Sequence, residues 1–242
     1  MNQSALAPKP LLPLVPSDAP SGTTELLRWA HARFGDRAVL ASSLGPQSLV
    51  LIDILHNLGL KLPVLLLDTG LLFEETYALR HQVELRYGLT IETAETPQTV
   101  AEQEAAHGPE LWRSQPDLCC QLRKVRPLAS ALSSRSAWIT GLRRRPEGAR
   151  QNIEEVAWDH QFNLLKINPL ANWSREDVSA YLRENRVPYN PLLDEGYRSL
   201  GCVPCTSRVS PLTPLDDERA GRWASHQKSE CGIHLPAPKK AS

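Results

Sequence analysis

The sequence lacks a net charge, because 27 Lys and Arg residues balance 27 Asp and Glu residues. A neutral chain is poorly suited to coating a polyanion, so we expect no nucleic-acid partner. It also lacks any apolar run near the roughly 20 residues of a membrane-spanning helix, so we expect no membrane partner. Residues 1–20 have neither the basic start nor the continuous apolar block of a signal peptide, which predicts a cytoplasmic location.

Prolines interrupt residues 1–20 and predict a flexible leader. We expect one folded domain over residues 21–210, followed by an irregular, mobile tail over residues 211–242. A helix capped by Ser174, with Asp177 three residues later, is the last strong regular signal before this tail. The sequence does not indicate an oligomeric state, and a homo-oligomer stays open.

Short apolar runs alternate with helical patterns through the first part of the chain. This alternation is typical of βαβ units and predicts an α/β fold with a parallel sheet flanked by helices. Such sheets bind ligands at the carboxyl ends of their strands, so the loops after Ala41, Leu67 and Thr140 should converge on one crevice. The predicted strands cover residues 38–41, 63–67, 89–92 and 137–140, and the predicted helices cover residues 21–34, 48–58, 73–87 and 175–186.

The chain has five cysteines, and four of them form two pairs. Cys119 and Cys120 are adjacent, whereas Cys202 and Cys205 form a Cys-x-x-Cys pair. Four thiolates can hold an iron–sulfur cluster or a structural zinc ion. Adjacent side chains diverge, so a vicinal pair reaches one centre only where the backbone is strained or the centre is large, which favours a cluster. On spacing alone, zinc, a redox disulfide and simple buried thiols stay open.

Cys231 stands apart from the two pairs, in the Glu-Cys-Gly-Ile-His segment of residues 230–234. A nucleophilic cysteine needs access and nearby cations that lower its pKa, and Lys228, Arg222 and His234 are candidate neighbours. The alternative from these residues alone is an ordinary exposed thiol.

Basic residues are concentrated at residues 123–126 and 143–150. Local clusters in a neutral chain suit a small anionic ligand better than a polyanion. The alternative is that these arginines form a solvated loop, as charge runs usually do.

Taken together, these segments resemble the phosphoadenylyl-sulfate/adenylyl-sulfate reductases of assimilatory sulfate reduction. The resemblance covers roughly residues 22–235. Its most specific feature is the joint occurrence of vicinal cysteines, Cys-x-x-Cys and Glu-Cys-Gly-x-His. The matching blocks are Leu67-Asp68-Thr69-Gly70, Cys119-Cys120-x-x-Arg123-Lys124-Val125, Trp138 to Arg144, Asn168-Pro169-Leu170, Val187 to Leu192, Gly201 to Thr206, Ala220 to Trp223, and Glu230 to His234.

The resemblance implies a Rossmann-like adenine-nucleotide alpha-hydrolase fold of the PP-loop type. It implies one [4Fe–4S] cluster per chain, held by Cys119, Cys120, Cys202 and Cys205. It also implies the reaction: Cys231 attacks the sulfur of adenylyl sulfate, AMP leaves, and an enzyme S-sulfocysteine forms. A separate thioredoxin, or a glutaredoxin-like donor, would then release sulfite, since no thioredoxin-like extension follows Cys231.

The same resemblance implies a set of substrate-binding residues. Lys124 and the arginines after residue 142 would bind the phosphate and the sulfate. The loop Ser42–Ser48 resembles the family's phosphate-facing loop, where backbone N–H groups and a helix N-terminus meet an anion. The expected set is Ser42, Ser43, Gly45, Asp68, Thr69, Lys124, Arg143, Arg144, Arg150, Arg222 and His234.

Two segments depart from the family pattern. The first loop reads Ser-Ser-Leu-Gly-Pro-Gln-Ser, where members commonly have a Ser-Phe-x-Gly-x-Glu-Asp type, and residues 143–150 lack the usual Gln-Ser and Thr. Members with all four cluster cysteines mostly use adenylyl sulfate, so we expect adenylyl sulfate to be the substrate of this chain. The 3′-phosphorylated substrate is the alternative, and Arg145, whose target the sequence does not assign, keeps it open.

Two other classes of protein fit parts of the sequence. An ATP-using enzyme of the same fold, a sulfurtransferase or an adenylyl transferase, would show a Ser-Gly-Gly-x-Asp-Ser-type loop, which Ser42–Ser48 lacks. A non-catalytic zinc module would bind zinc and would tolerate the loss of Cys231.

Overall fold

The computed structural model describes residues 15–145, 150–214, 217–224, 228 and 230–234. Residues 1–14 of the predicted leader and parts of the predicted tail, 215–216, 225–227, 229 and 235–242, lie outside the described residues, as do residues 146–149. In the described part of the leader, Asp18 accepts hydrogen bonds from Trp29 and Arg33. None of the helices among the described residues is long and apolar enough to cross a bilayer.

The centre of the fold is a six-stranded sheet, with strands β1 (Ala38–Ser42), β2 (Val64–Asp68), β3 (Ile91–Glu95), β4 (Ala137–Ile139), β5 (Val156–Asp159) and β6 (Leu164–Ile167). The strand order is β3-β2-β1-β4-β6-β5. Strands β3 to β6 pair in parallel along this order, whereas β5 at the edge pairs antiparallel with β6. The predicted α/β fold with a mainly parallel sheet is confirmed.

Helices flank this sheet, and their ends follow recognisable signals. Ser174 caps the last helix as predicted, since its Oγ accepts from the Asp177 amide at 3.0 Å while Asp177 accepts from the Ser174 amide at 2.7 Å. Gly88 ends another helix in the left-handed conformation, with φ of 60°. The α-helices are α1 (Thr23–Phe34), α2 (Pro46–Asn57), α3 (Glu74–Tyr87), α4 (Val100–His107), α5 (Leu111–Ser114), α6 (Pro116–Cys120), α7 (Arg126–Leu132) and α8 (Arg175–Glu184).

Alternate residues of the strands face two separate cores. Leu40 and Ile139 belong to the larger core, which includes residues of α1, α2, α3 and α8. Their neighbours Val39 and Trp138 belong to a smaller core on the other face, covered by residues of α7. Because side chains of a strand alternate between faces, the sheet is the middle of three layers.

The structure adds β5, β6 and helices α4 to α7 to the predicted elements. Every residue of β5 is only part-buried, so apolar alternation does not mark this strand. Helices α5 and α6 have four and five residues, too few to show a helical period. Strand β3 begins at Ile91, two residues later than predicted.

The carboxyl ends of β2, β1 and β4 are neighbours, so the three loops that follow them meet at one edge of the sheet, as predicted. The approach is tightest between Gly141, after β4, and the start of α2. A Cβ on Gly141 would lie 2.8 Å from Gln47 Cβ and 3.2 Å from the Ser48 amide nitrogen. Glycine at this position therefore allows the loop after β4 to pack against the first turn of α2.

We predict that Gly141→Ala lowers the free energy of unfolding by about 1–3 kcal/mol, because the added methyl group overlaps the first turn of α2. Urea unfolding measures the difference. Gly45→Ala is the matched control, since Gly45 has φ of −80° and its added Cβ would meet Ser43 Oγ at 3.4 Å. The control should lower stability by no more than about 0.5–1 kcal/mol, because its added methyl group does not overlap backbone and its cost comes from alanine being a poorer N-cap residue than glycine. Equal stability of Gly141→Ala and the parent would contradict the close approach.

Candidate active site

The vicinal cysteines lie where α6 continues into a π-helix. Cys119 and Cys120 are the last two residues of α6, and the π-helix spans Gln121–Val125. A π-helix hydrogen-bonds from i to i+5 and is rare, occurring often at functional sites. This widened turn begins immediately after the vicinal pair, whose second residue, Cys120, has ordinary helical φ and ψ of −65° and −37°. Both thiols are buried, with 6% and 5% of their surface exposed.

The second pair of cysteines is attached to the loop that follows β2. Cys202 forms an antiparallel bridge with Leu72, and the Val203 amide donates to the Leu71 carbonyl at 2.8 Å. Thr69 Oγ1 lies 3.2 Å from Cys202 Sγ. The Cys-x-x-Cys turn is therefore held against the carboxyl edge of the sheet.

All four thiols face a common pocket, and burial raises their pKa values where a shift is seen. Burial, with repulsion from Cys120, Cys202 and Cys205, raises the pKa of Cys119 to about 11. Burial also raises the pKa values of Cys120 and Cys205. The thiolate forms therefore need a compensating positive centre. The pocket is lined by Cys119, Cys120, Cys202, Cys205, Leu71, Trp112, Pro116, Arg123 and Lys124.

A fully buried arginine connects the two cysteine segments. Arg123, only 2% exposed, lies in the π-helix. Its Nη1 donates to the Thr69 carbonyl at 2.7 Å, its Nε to Gln103 Oε1 at 2.8 Å, and its Nη2 to the Gln98 carbonyl at 3.3 Å. The guanidinium thus joins the helix of the vicinal pair to the loop that holds Cys202. The sequence shows Arg123 as one of a basic cluster and indicates no role for it.

Lys124 is buried in the same pocket, with 8% of its surface exposed. Burial lowers its pKa, but negative charge on Cys202, Cys231 and Cys120 more than offsets this, so the net pKa is raised. Lys124 is therefore protonated at neutral pH and faces both the cysteine pocket and Cys231.

The indole ring of Trp223 makes cation–π contacts with several basic side chains next to the cysteines. Trp223 is 2% exposed, has φ of 50°, and donates its amide to the Cys205 carbonyl at 3.1 Å. Arg222 stacks on the ring at 4.6 Å and also donates to the Leu200 carbonyl. A Cβ on Gly201 would lie 2.2 Å from Arg222 Nη2, so glycine makes room for this guanidinium. The cations over the ring are Lys124, Arg219, Arg222 and Lys228, at 4.6 to 5.9 Å.

The predicted phosphate-facing loop lies between β1 and α2. Ser42 is buried, donates to Ser48 Oγ at 2.9 Å, and accepts from the Leu44 amide at 3.0 Å. Ser43 is exposed. Gly45 is the N-cap of α2 and provides no side-chain cap, so the first N–H groups of α2 face the loop without a carboxylate or hydroxyl bound to them.

The loop after β2 uses its polar side chains within the protein. Asp68 Oδ1 accepts from the Gly70 amide at 2.8 Å and from the Tyr77 hydroxyl at 2.9 Å. Burial and the Asp68 carboxylate raise the pKa of Tyr77 to about 12. Thr69, 1% exposed, contacts Cys202 as described above.

The arginines after β4 all have partners, and two of these partners are carboxylates of the C-terminal segment. Arg143 Nη2 donates to both oxygens of Glu218 at 2.7 Å, and Arg145 donates to the same carboxylate at 2.9 Å. Burial raises the pKa of Glu218, but hydrogen bonds and charge from Arg143 and charge from Arg145 outweigh it, so the pKa lies below its usual value. Arg144 is exposed and donates to the Ile153 carbonyl and to Asn172.

Arg150 forms the second of these ion pairs. Its Nε and Nη2 donate to the two oxygens of Glu230 at 2.7 and 3.0 Å. Arg219 lies 3.4 Å from the same carboxylate. Glu230 immediately precedes Cys231, so these pairs also locate the backbone of the separate cysteine.

Cys231 itself is part-buried and packs against Cys120, Cys202, Cys205 and Trp223. The structure thus brings Cys231, Lys124 and Arg222 to the cysteine pocket. Ser42, Ser43 and Gly45 lie at the turn between β1 and α2, and Arg144 lies among Ile153 and Asn172.

The residues after Cys231 are packed on the smaller core. The Gly232 carbonyl accepts from Gln161 Nε2 at 3.0 Å, and Ile233 packs in that core. His234 stacks on Trp138, with ring centroids 5.5 Å apart and an angle of 22° between planes. Its Nδ1 is shielded from solvent and has no hydrogen-bond partner among the described residues.

The comparisons with known proteins give a consistent result. The family model described as "Phosphoadenosine phosphosulfate reductase domain" matches residues 37–208. The chain belongs to this family. It is 43% identical over 220 residues to "Adenosine 5'-phosphosulfate reductase" of Oceanobacillus iheyensis, with 90% of each chain covered.

Solved structures agree with the family assignment. The phosphoadenylyl-sulfate reductase of Candida auris, in a phosphate complex, matches with a TM-score of 0.68 and 32% identity, covering 78% of this chain and 90% of that one. Yeast FAD synthetase matches with a TM-score of 0.53 and 16% identity, covering 77% of this chain and 66% of that one. This second similarity, at 16% identity, shows a shared fold.

The pairing of several site residues cannot be predicted from the sequence. Nothing in the sequence relates Glu218 or Glu230 to Arg145 or Arg150, because these partners lie 73 and 80 residues apart along the chain. Arg219 similarly gains its role only from the fold. Arg145, which the sequence leaves without a target, pairs with Glu218.

His234 makes the packing of this segment dependent on pH. Burial, together with Lys166, Arg150 and Arg219, lowers the pKa of His234 well below its usual 6.5. The folded state keeps the ring neutral while the unfolded chain takes up a proton below about pH 6.5, so the stability from this group is present above that pH and is lost as the pH falls.

We predict that lowering the pH from 7.5 to 5.5 reduces the free energy of unfolding of the parent protein by about 1 kcal/mol more than that of the His234→Phe variant. The phenyl ring of the variant keeps the stack on Trp138 but cannot ionise. Urea unfolding at the two pH values measures this difference. His107→Gln, at an exposed position of α4, should behave like the parent. An identical pH dependence in the parent and His234→Phe would contradict a neutral, packed His234.

Proposed function

We propose that this protein reduces adenylyl sulfate to sulfite and AMP in assimilatory sulfate reduction, with electrons from thioredoxin or a glutaredoxin-like donor. The observation that carries the proposal is the position of Cys231, which packs against the cysteine pocket beside Lys124 and Arg222 in a member of this reductase family. A part-buried thiol among protonated side chains is suited to nucleophilic attack on an anionic group.

The proposed reaction proceeds in two transfers. The Cys231 thiolate attacks the sulfur of adenylyl sulfate, the bond from that sulfur to the phosphate oxygen breaks, and AMP leaves with the electron pair. The resulting S-sulfocysteine is attacked at Cys231 Sγ by a donor thiolate, which releases sulfite and forms a mixed disulfide. The donor's second thiol then attacks the donor sulfur of this mixed disulfide and displaces the Cys231 thiolate. The donor is thereby oxidised to a disulfide and Cys231 is restored.

Positive groups of this chain would stabilise the anions in these steps. Lys124 interacts with Cys231, and Arg222 lies beside Trp223 and Cys205. Both cations would bind the sulfate, where negative charge is transferred. The N-terminus of α2, with Ser42, Ser43 and Gly45, would bind the 5′-phosphate. Asp68 and Thr69 would shape the loop beside the nucleotide. The proposed substrate-binding set also includes Arg143, Arg144, Arg150 and His234; in this structure Arg143 and Arg150 pair with Glu218 and Glu230, and His234 stacks on Trp138.

The four paired cysteines fit a [4Fe–4S] cluster. They are buried around one pocket, and burial disfavours the free thiolates. Four buried thiols that line one pocket match the four thiolate ligands of such a cluster. A zinc ion is the alternative that metal analysis distinguishes. When bound, the cluster supplies fixed charge near Lys124 and cross-links the two cysteine segments.

Two observations favour adenylyl sulfate over the 3′-phosphorylated substrate. Arg145, the extra cation that kept the alternative open, pairs with Glu218, a carboxylate that it shares with Arg143. The relative with 43% identity is named for adenosine 5′-phosphosulfate, whereas the relative with 32% identity is named for the phosphorylated nucleotide.

The proposed cytoplasmic location has support from the cysteines. All five are free thiols, among them a pair of adjacent residues and a Cys-x-x-Cys pair. Disulfides are rare in reducing compartments, where such thiols and a thioredoxin donor persist.

We predict that the cluster-loaded protein, incubated with adenylyl sulfate and no donor, gains a sulfonate on Cys231, because attack on sulfur does not need the donor. Mass spectrometry of the intact chain and its peptides detects the adduct, and added thioredoxin should remove it with release of sulfite. The 3′-phosphorylated nucleotide should form the adduct more slowly at equal concentration.

Cys231→Ser is the control for this experiment. It should form no adduct while retaining the cluster and AMP binding, since the cluster cysteines are separate residues. An adduct on another residue, or turnover by Cys231→Ser, would exclude Cys231 as the nucleophile. Faster adduct formation with the 3′-phosphorylated nucleotide would reverse the substrate assignment.

We predict about four iron and four sulfide per chain in protein purified without oxygen, as expected for one [4Fe–4S] cluster. Elemental analysis and the visible spectrum measure this. Cys205→Ser should lose most of the iron, whereas Cys231→Ser should keep it. One zinc per chain in place of iron would support the zinc module instead.

A further inference from the structure

Glu230 occupies a more constrained position than a surface carboxylate. Its side chain is only 8% exposed, and both of its oxygens accept from Arg150 in a two-bond arrangement. Arg219 approaches one of the same oxygens at 3.4 Å. Charge-assisted pairs with two parallel hydrogen bonds fix orientation as well as distance. The carboxylate is thus held from two directions by cations of different segments.

The two cations come from different parts of the fold. Arg150 follows β4 and precedes β5, so it belongs to the body of the sheet domain. Arg219 belongs to the C-terminal segment and stacks over Trp223 at 5.3 Å. Burial and nearby cations lower the pKa of Arg219 to about 10, which still leaves it protonated at neutral pH. Glu230 therefore joins the sheet domain to the segment that packs on the cysteine pocket.

The residue after Glu230 is Cys231, and the residues after Cys231 are held separately. Gln161 binds the Gly232 carbonyl, and Ile233 packs in the smaller core. Gly232 has φ of 87°, which turns the chain sharply between the two attachments. Cys231 is therefore located by an ion pair on its N-terminal side and by apolar packing on its C-terminal side.

We infer that Glu230 is a positioning residue that, through Arg150 and Arg219, sets the location of Cys231 for attack on the substrate sulfur. The inference rests on the proposed role of Cys231 as the nucleophile. The ion pair does not contact the reacting atoms and acts through the backbone between Glu230 and Cys231. Neutralising the carboxylate would leave Arg150 and Arg219 facing each other without a counter-ion, and the segment would move away.

The test uses the cluster-loaded protein under anaerobic conditions and the variants Glu230→Gln and Glu230→Asp. The rate of sulfonate formation on Cys231 in a single turnover should fall about ten- to a hundredfold in Glu230→Gln, because small displacements of a reacting group are costly. The dissociation constant for AMP should change less than about threefold, and Glu230→Asp should recover part of the rate, because it keeps the charge.

A second measurement does not depend on the substrate. Alkylation of Cys231 by iodoacetamide, followed by peptide mass analysis, reports how well the segment is packed. The alkylation rate should rise several-fold in Glu230→Gln and remain at the parent value in Glu195→Gln, which breaks an exposed ion pair with Arg208. This measurement responds to Glu230 even if Cys231 never reacts with adenylyl sulfate.

The two hypotheses fail in different ways. If the parent protein forms no adduct, the proposed function is wrong, whatever the alkylation rates show. If the parent forms the adduct and Glu230→Gln forms it at the same rate, the positioning role is wrong. The positioning role would also be wrong if the lower adduct rate were explained by weaker AMP binding. It would be wrong as well if AMP bound more tightly and the adduct rate did not change. In both cases Glu230 would act on the nucleotide site.

Discussion

The ion pairs between the arginines after β4 and two carboxylates are the interaction on which the position of the C-terminal segment depends. Arg143, Arg145 and Arg150 are at most part-exposed and lie near a sheet edge where the N-terminus of α2 adds positive potential. Removing cations from water without counter-ions costs several kcal/mol each. Glu218 and Glu230 are these counter-ions, and both come from the C-terminal segment. The pairs that neutralise the loop therefore also bring Cys231 to the cysteine pocket.

A second set of contacts organises the pocket itself. The two adjacent cysteines end α6, and Arg123 in the π-helix that follows donates to the carbonyl of Thr69. The Thr69 side chain in turn contacts Cys202. Segments distant in sequence are thus joined through one buried guanidinium.

The sequence predicts those parts of the structure that depend on local patterns. The first three strands, β4, the Ser174 cap and the convergence of three loops follow from apolar runs, cap residues and the rules of parallel sheets. The cysteine pairs and the family follow from short motifs. The ion pairs of Glu218 and Glu230 do not, because several carboxylates in the C-terminal region are equivalent in sequence and only the fold selects two. Strand β5 is also not predicted from the sequence, because its residues are all part-buried and show no alternation of apolar and polar side chains.

The placement of the five cysteines has a consequence for how the protein is made. Cys119 and Cys120 are synthesised well before Cys202 and Cys205, and Cys231 follows both pairs. The pocket cannot form until the last pair has left the ribosome, so the first pair spends that interval as two adjacent thiols without partners. Oxidation within that interval would form a disulfide bond among thiols that are free in the folded protein. Assembly of this site therefore depends on reducing conditions during translation as much as on the folded structure.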